Sequence, residues 1–165
     1  ELNPDKDIIN LHPEHVPNKL EKAKTVIVDE ISMCRSDLFI WLSETLKLAE
    51  IKFKHPIQLV VVGDFYQLPP VLATPAEKEY FANGKVYAFN TAEWKSWHFQ
   101  PVVLHQVIRQ TNAEFSKALN SIRKGNTKYI HYLNSKSTKN RINNAITLVS
   151  TNKEANAINL KKLVL

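Results

Sequence analysis

With a single cysteine, Cys34, the chain can form no internal disulfide and cannot assemble a thiolate zinc cluster. A reducing interior such as the cytosol fits that scarcity. No apolar run approaches the roughly 20 residues that cross a bilayer. No signal-peptide pattern opens the chain, and neither an internal repeat nor a low-complexity tract is present. A disulfide-stapled secreted scaffold and a helical membrane protein are set aside on these grounds. What remains is 165 residues of ordinary apolar content, enough for one domain or two small ones. The 22 lysines and arginines exceed the 16 aspartates and glutamates, for a net charge of +6. That excess suits a polyanionic partner and equally a merely basic surface.

Residues 1–24 are polar, carry Pro4, Pro13 and Pro17, and read as loops with a short helical stretch near residues 18–24. TVIVDE follows, a β-branched run without alternation, the pattern of a strand buried on both faces of a parallel sheet. Ser36 can cap the next helix, whose apolar positions Leu38, Trp41, Leu42 and Leu46 recur at helical spacing until His55-Pro56 breaks the pattern. IQLVVVGD reads as a second buried strand. Pro69, Pro70 and Pro75 then forbid regular helix, EKEYFA reads as a helical turn, Asn83-Gly84 as a turn and Thr91 as the cap of AEWKSW. After Pro101, VVLHQVI reads as a third strand ending at Arg109. Thr111 or Asn112 caps a helix with an apolar stripe of Phe115, Leu119 and Ile122, closed by Gly125. A short helix around residues 129–133 and a fourth strand, AITLVS, follow. Thr151 to Glu154 has capping-box spacing, and the chain stops in the apolar KKLVL. Strands alternating with helices predict an α/β fold with a parallel sheet.

Two buried strands that each end in carboxylates carry the functional argument. In an open α/β sheet, ligands bind beyond the carboxyl ends of the strands. On a pleated strand Asp29 and Glu30 point to opposite faces, so one can meet a metal's water shell while the other faces an attacking water. That division suits Mg²⁺-dependent nucleotide hydrolysis. An Asp-Glu pair taken alone also reads as turn solvation or helix capping, and a phospho-accepting receiver domain clusters carboxylates in the same place. GDFYQLPP narrows the choice. Gly63 allows a tight backbone, Asp64 follows it, and Gln67 offers a donor and an acceptor to a phosphate oxygen or a water. Arg109 at the end of VVLHQVI can grip phosphate oxygens. The aromatics between residues 80 and 97 serve either as core or as stacking surfaces for bases.

VIVDEISM, VVVGDFYQLPPV, LHQVIRQTNAEFSKALNSIRKG and LVSTNKEANAINLKKL, in that order, closely resemble the RecD-like and PIF-type DNA helicases of superfamily 1. The resemblance runs from about Lys24 to the end. It implies a RecA-like, P-loop NTPase architecture with ATP in a cleft between two such domains, single-stranded DNA and duplex junctions as partners, and 5′-to-3′ movement. It implies Asp29 as the Mg²⁺ residue through water, Glu30 as the group that polarises the attacking water, Gln67 at the γ-phosphate and Arg109 reaching that phosphate from the second domain. Asp64 is expected to organise the loop of Gln67. Phe65, Tyr66 and Pro69, near the rigid segment Leu68–Val71, are expected along the DNA path.

One departure from that family is plain. Its phosphate-binding loop, G-x-x-x-x-G-K-[ST], is not among these residues, since Gly63, Gly84 and Gly125 all stand elsewhere. ATP and Mg²⁺ therefore require the missing segment. The expectation is the middle of a helicase: residues 1–100 as the back of a first RecA-like domain and residues 101–165 as the front of a second, both incomplete. By itself this stretch is expected to be inactive, with exposed apolar patches and association between copies. The Lys, Asn and Ile bias suggests a bacterium with AT-rich DNA, and with the lone cysteine the expected location is the bacterial cytoplasm. Two other readings stand beside this one: a non-catalytic nucleic-acid-binding module or degenerate subunit, and a Mg²⁺-dependent receiver or nuclease built on Asp29, Glu30 and Asp64.

Overall fold

β1 (Thr25–Val28) and β2 (Gln58–Val61) lie side by side and parallel, with Thr25 opposite Gln58 and Val28 opposite Val61. The computed structural model describes residues 15–138 and 146–163. They fall into two units, one running to Thr111 and the other starting at Asn112. Among the described residues these two strands form the whole sheet. The parallel pairing demands a crossover, and α1 (Ser36–Phe53) supplies it.

α1 begins one residue earlier than a Ser36 cap would place it. Arg35 holds the cap position, and the Ser36 hydroxyl instead donates to the Lys85 carbonyl at 2.8 Å. Lys54 closes the helix in the left-handed region, just before His55-Pro56. The buried stripe of α1 centres on Phe39, Ser43, Leu46 and Ala49, while Leu38 and Trp41 are half-buried. The stripe is thus rotated from the expected one. Small Ser43 on that face gives room for Trp97, whose indole N–H donates to Ser43 Oγ at 2.8 Å. Phe39, fully buried, meets Trp94 with ring centroids 5.3 Å apart. Val16, Ile31, Ile57, Leu59 and Ala88 complete this core.

The strands are not buried on both faces. Ile27 is 67% exposed, because among the described residues nothing covers that side of β1. The expected third strand, residues 102–108, has no regular structure and is exposed throughout; residues 146–150 are likewise not a strand. A ladder needs a neighbour, and a β-rich run without one stays extended coil. Ala145 of the fourth run, the prolines at 4 and 13, and the final two residues of KKLVL lie outside the described residues.

α2 (Pro75–Tyr80) starts from a Thr74–Glu77 capping box, and α3 (Ala92–Ser96) from Thr91. In the second unit, α4 (Ala113–Arg123) is capped by Asn112, whose side chain accepts from Phe115 N at 2.9 Å, and ends before Gly125 at φ 76°. A 3₁₀ turn (Thr127–Tyr129) leads into α5 (Ile130–Ser135), and α6 (Asn152–Leu163) follows Thr151. No helix among the described residues is long and apolar enough to cross a membrane.

Candidate nucleotide and strand site

The parallel register brings the carboxyl ends of β1 and β2 to the same edge of the sheet. Asp29-Glu30 leaves one strand there and Gly63-Asp64 the other. Two backbone bonds lock the exits together: Val62 N donates to Val28 O at 2.8 Å, and Ile31 N donates to Val62 O at 2.9 Å. Strand pairing ends at Val28. Glu30 then turns into the left-handed region, φ 53° and ψ 42°, and a 3₁₀ turn (Ile31–Met33) follows. The pleat therefore does not set the relative directions of the two carboxylates; this turn does. Asp29 Oδ1 accepts from the Glu30 N–H at 2.9 Å.

Gly63 is needed for proximity rather than for a positive φ. A β-carbon there would sit 2.9 Å from Ile31 Cγ2 and 3.2 Å from Ser32 N. Asp64 accepts from Tyr66 N and from Gln67 Nε2, both at 3.1 Å, and its carbonyl accepts from Gln67 N at 2.9 Å. Gln67 is thus held by Asp64 at the edge that also carries the acid pair. Phe65 meets Phe89 edge-on, centroids 4.9 Å apart, beside Tyr87 and Trp94, so much of its ring is spent on aromatic packing. Tyr66 and Pro69 are exposed. Arg109 lies in the exposed coil of residues 101–111, and no hydrogen bond or ion pair joins it to Asp29, Glu30 or Gln67.

The Asp29 oxygen not bonded to Glu30 suits a hydrated hard cation, because Mg²⁺ keeps several waters and uses only one or two carboxylates beside phosphate oxygens. Among the described residues no three His, Cys, Asp or Glu side chains gather into a metal cage, and a water-mediated site does not require one.

Two features, one in each unit, escaped the sequence reading. Arg35 donates through Nε and Nη2 to the two oxygens of Asp37, at 3.0 and 2.8 Å, and through Nη1 to Glu77 Oε1. Glu77 Oε2 in turn accepts from Ala73 N and Thr74 N. Hydrogen bonding by Asp37 raises the Arg35 pKa further, and the Thr74 and Ala73 N–H groups, with Arg35, hold the Glu77 carboxyl below its ordinary value. The T-x-x-E spacing at Thr74 was a readable signal for half of this arrangement. The second feature is charge placement. From residue 112 onward there are ten lysines and arginines against two glutamates, so that stretch carries +8 and the rest of the chain −2. Lys128 and Lys136 sit over the rings of Tyr129 and Tyr132, at 5.8 and 5.3 Å. Counting charge by segment would have found this.

The family model for PIF1-like helicases matches residues 4–132. The ATP-dependent DNA helicase Pif1 of Campylobacter jejuni is 34% identical over 151 residues, covering 87% of this chain and 32% of the relative. Among solved structures, Bacteroides Pif1 bound to single-stranded DNA is similar with a TM-score of 0.75 and 30% identity, covering 88% of this chain and 36% of that one. Bacteroides Pif1 in complex with ADP-AlF3 and single-stranded DNA is similar with a TM-score of 0.66 and 28% identity, covering 87% and 36%. The chain thus spans about a third of the length of these proteins. Its α/β architecture is RecA-like.

Proposed function

Because the chain belongs to the PIF1-like helicase family, we propose that it forms the middle of an ATP-dependent DNA helicase. The whole protein couples Mg-ATP hydrolysis to 5′-to-3′ movement on single-stranded DNA and to opening of duplex junctions. Residues 1–100 belong to the first RecA-like domain in this reading, and residues 101–165 begin the second. A bacterial cytoplasmic site of action goes with it. The observation that carries the reading is the shared sheet edge: parallel pairing puts Asp29, Glu30, Asp64 and Gln67 at one end of β1 and β2.

At that edge each residue has a distinct task. Asp29 holds Mg²⁺ through water, and the ion supplies neutralising charge at the phosphates when bound. Glu30 polarises the attacking water and accepts its proton. Gln67, oriented by Asp64, senses the γ-phosphate end of the nucleotide and passes its state to the exposed segment containing Tyr66 and Pro69. Arg109 contributes its guanidinium once the second domain is complete. The phosphate-binding loop lies outside these 165 residues, so the chain supplies the hydrolytic half of the site and not the phosphate cradle. Support comes from the nucleotide-analogue and DNA complexes of the Bacteroides relatives and from the basic stretch after residue 112.

The test uses the full-length protein. Glu30→Gln should lower single-stranded-DNA-stimulated ATP turnover by about 10²- to 10⁴-fold, the usual contribution of a positioned base, while ATP still binds in a filter assay. Turnover equal to that of the parent protein would remove Glu30 from this mechanism.

A further inference from the structure

We propose that Arg35 and Glu77 form a clamp that fixes the far end of the segment carrying Gln67, and that this clamp couples strand binding to nucleotide turnover. The coupling half of the inference rests on the function proposed above; the clamp itself does not.

Residues 65–73 form a largely exposed strap, with Pro69 exposed and Pro70 buried at its centre. Its near end is fixed by Asp64, which holds Tyr66 N and the Gln67 backbone and side chain. Its far end is fixed by Glu77. One oxygen of that carboxylate receives the N–H groups of Ala73, at 2.7 Å, and Thr74, at 2.9 Å; the other receives Arg35 Nη1. Phe65 packs on Phe89 and Pro70 is buried, so release of the far end would free chiefly the residues after Pro70. Held at both ends, seated midway by the buried Pro70 and stiffened by two prolines, the strap can shift only as a unit.

The other end of the clamp reaches the acid pair. Arg35 follows Glu30 through the 3₁₀ turn, which is closed by Met33 N to Glu30 O at 2.9 Å and Cys34 N to Ile31 O at 3.1 Å. Its guanidinium is fixed by the bidentate pair with Asp37, a carboxylate only 4% exposed. A continuous series of short bonds therefore runs from the Glu30 turn through Arg35 and Glu77 to the end of the strap. Arg35 is a positioning residue in this scheme, and so is Glu77. Lysine cannot replace Arg35, because three of its nitrogens are engaged in a fixed planar fork. Arg35→Ala is a poor test, since it strands the buried Asp37 carboxylate. Glu77 is the better probe, because its removal leaves the Arg35–Asp37 pair whole.

The experiment compares the full-length protein with its Glu77→Ala and Glu77→Gln variants. Amide hydrogen exchange should accelerate at Ala73 and Thr74 in Glu77→Ala, and less so in Glu77→Gln, whose amide oxygen can still accept both N–H groups. The ratio of DNA-stimulated to unstimulated ATP turnover should fall about five- to tenfold in Glu77→Ala, the scale of coupling that remote contacts carry. The unstimulated rate and the KM for ATP should stay put. Unchanged exchange at residues 73 and 74 would overturn the clamp. Faster exchange with an unchanged stimulation ratio, or both rates falling together, would overturn the coupling. A parent protein with no DNA-stimulated turnover would instead defeat the helicase reading, and the exchange result would still decide the clamp.

Discussion

A β-carbon built on Gly63 would stand 2.9 Å from Ile31 Cγ2 and 3.0 Å from the Ile31 backbone nitrogen. The same nitrogen donates to Val62 O at 2.9 Å, so the strand exit that leads to Asp64 and the turn that carries Glu30 are in contact along their backbones. Neither can move without the other.

Gly63→Ala should therefore cost about 1–3 kcal/mol of stability, the range for inserting a methyl group into a filled space. Urea denaturation of the full-length protein measures it. A variant as stable as the parent would mean that Ile31 yields easily and that the close approach is not a constraint.

Glu30 occupies the left-handed region, where a side chain costs about 1–2 kcal/mol that glycine avoids. Glu30→Gly should leave thermal stability unchanged or raise it by a degree or more, about 0.5–1 kcal/mol after the glycine's extra freedom in the unfolded chain, while ATP turnover is lost. A clear fall in melting temperature would show that the carboxylate stabilises the turn instead of straining it.

Glu77 titrates below its ordinary value of 4.5, chiefly through the Thr74 N–H and then Ala73 and Arg35. A depressed carboxyl stabilises the folded state above its unfolded pKa and loses that effect as pH falls through the folded one. The stability difference between the parent and Glu77→Gln should thus be flat from about pH 6 to 8 and shrink below about pH 4.5. Denaturation across that range checks it; a difference that grows toward acid would reverse the sign.

DNA binding by the full-length protein should weaken steeply with salt, and Lys128→Ala with Lys136→Ala should flatten the dependence. Each lysine–phosphate pairing removed lowers the log–log slope by about 0.7 on single strands. Anisotropy titrations at several salt concentrations give the slope. An unaltered slope would place the phosphate-binding side chains elsewhere than the basic stretch.

Local chemistry was legible in the sequence wherever a few neighbouring residues decide the outcome. His55-Pro56 ends α1, Asn112 caps α4, Thr91 caps α3 and Gly125 closes α4, each through interactions within one turn of chain. The pairing of β1 with β2, and with it the shared edge of Asp29 and Gln67, was legible from two apolar runs that both end in carboxylates. VVLHQVI looked like a strand for the same reason, yet five of its seven residues are exposed large apolar groups in coil. Strand formation depends on a distant partner that no local pattern supplies. The Arg35 network was illegible because its members, at positions 35, 37 and 77, meet only after α1 has carried the chain back to the sheet. The rotated stripe of α1 has the same origin: Ser43 is buried because Trp97 arrives from far along the chain.

Thr25 and Gln58 bond across a separation of 33 positions. At about 5–20 residues per second, synthesis delivers the second of these strands roughly 2–7 s after the first. The intervening helix needs only about a microsecond to wind. On a ribosome, then, TVIV waits fully formed in sequence but unmatched in hydrogen bonds, beside a helix that is already complete. Slow codons between positions 36 and 58 lengthen that wait, and a chaperone at the exit tunnel has its best opportunity to hold the nascent strand in those seconds.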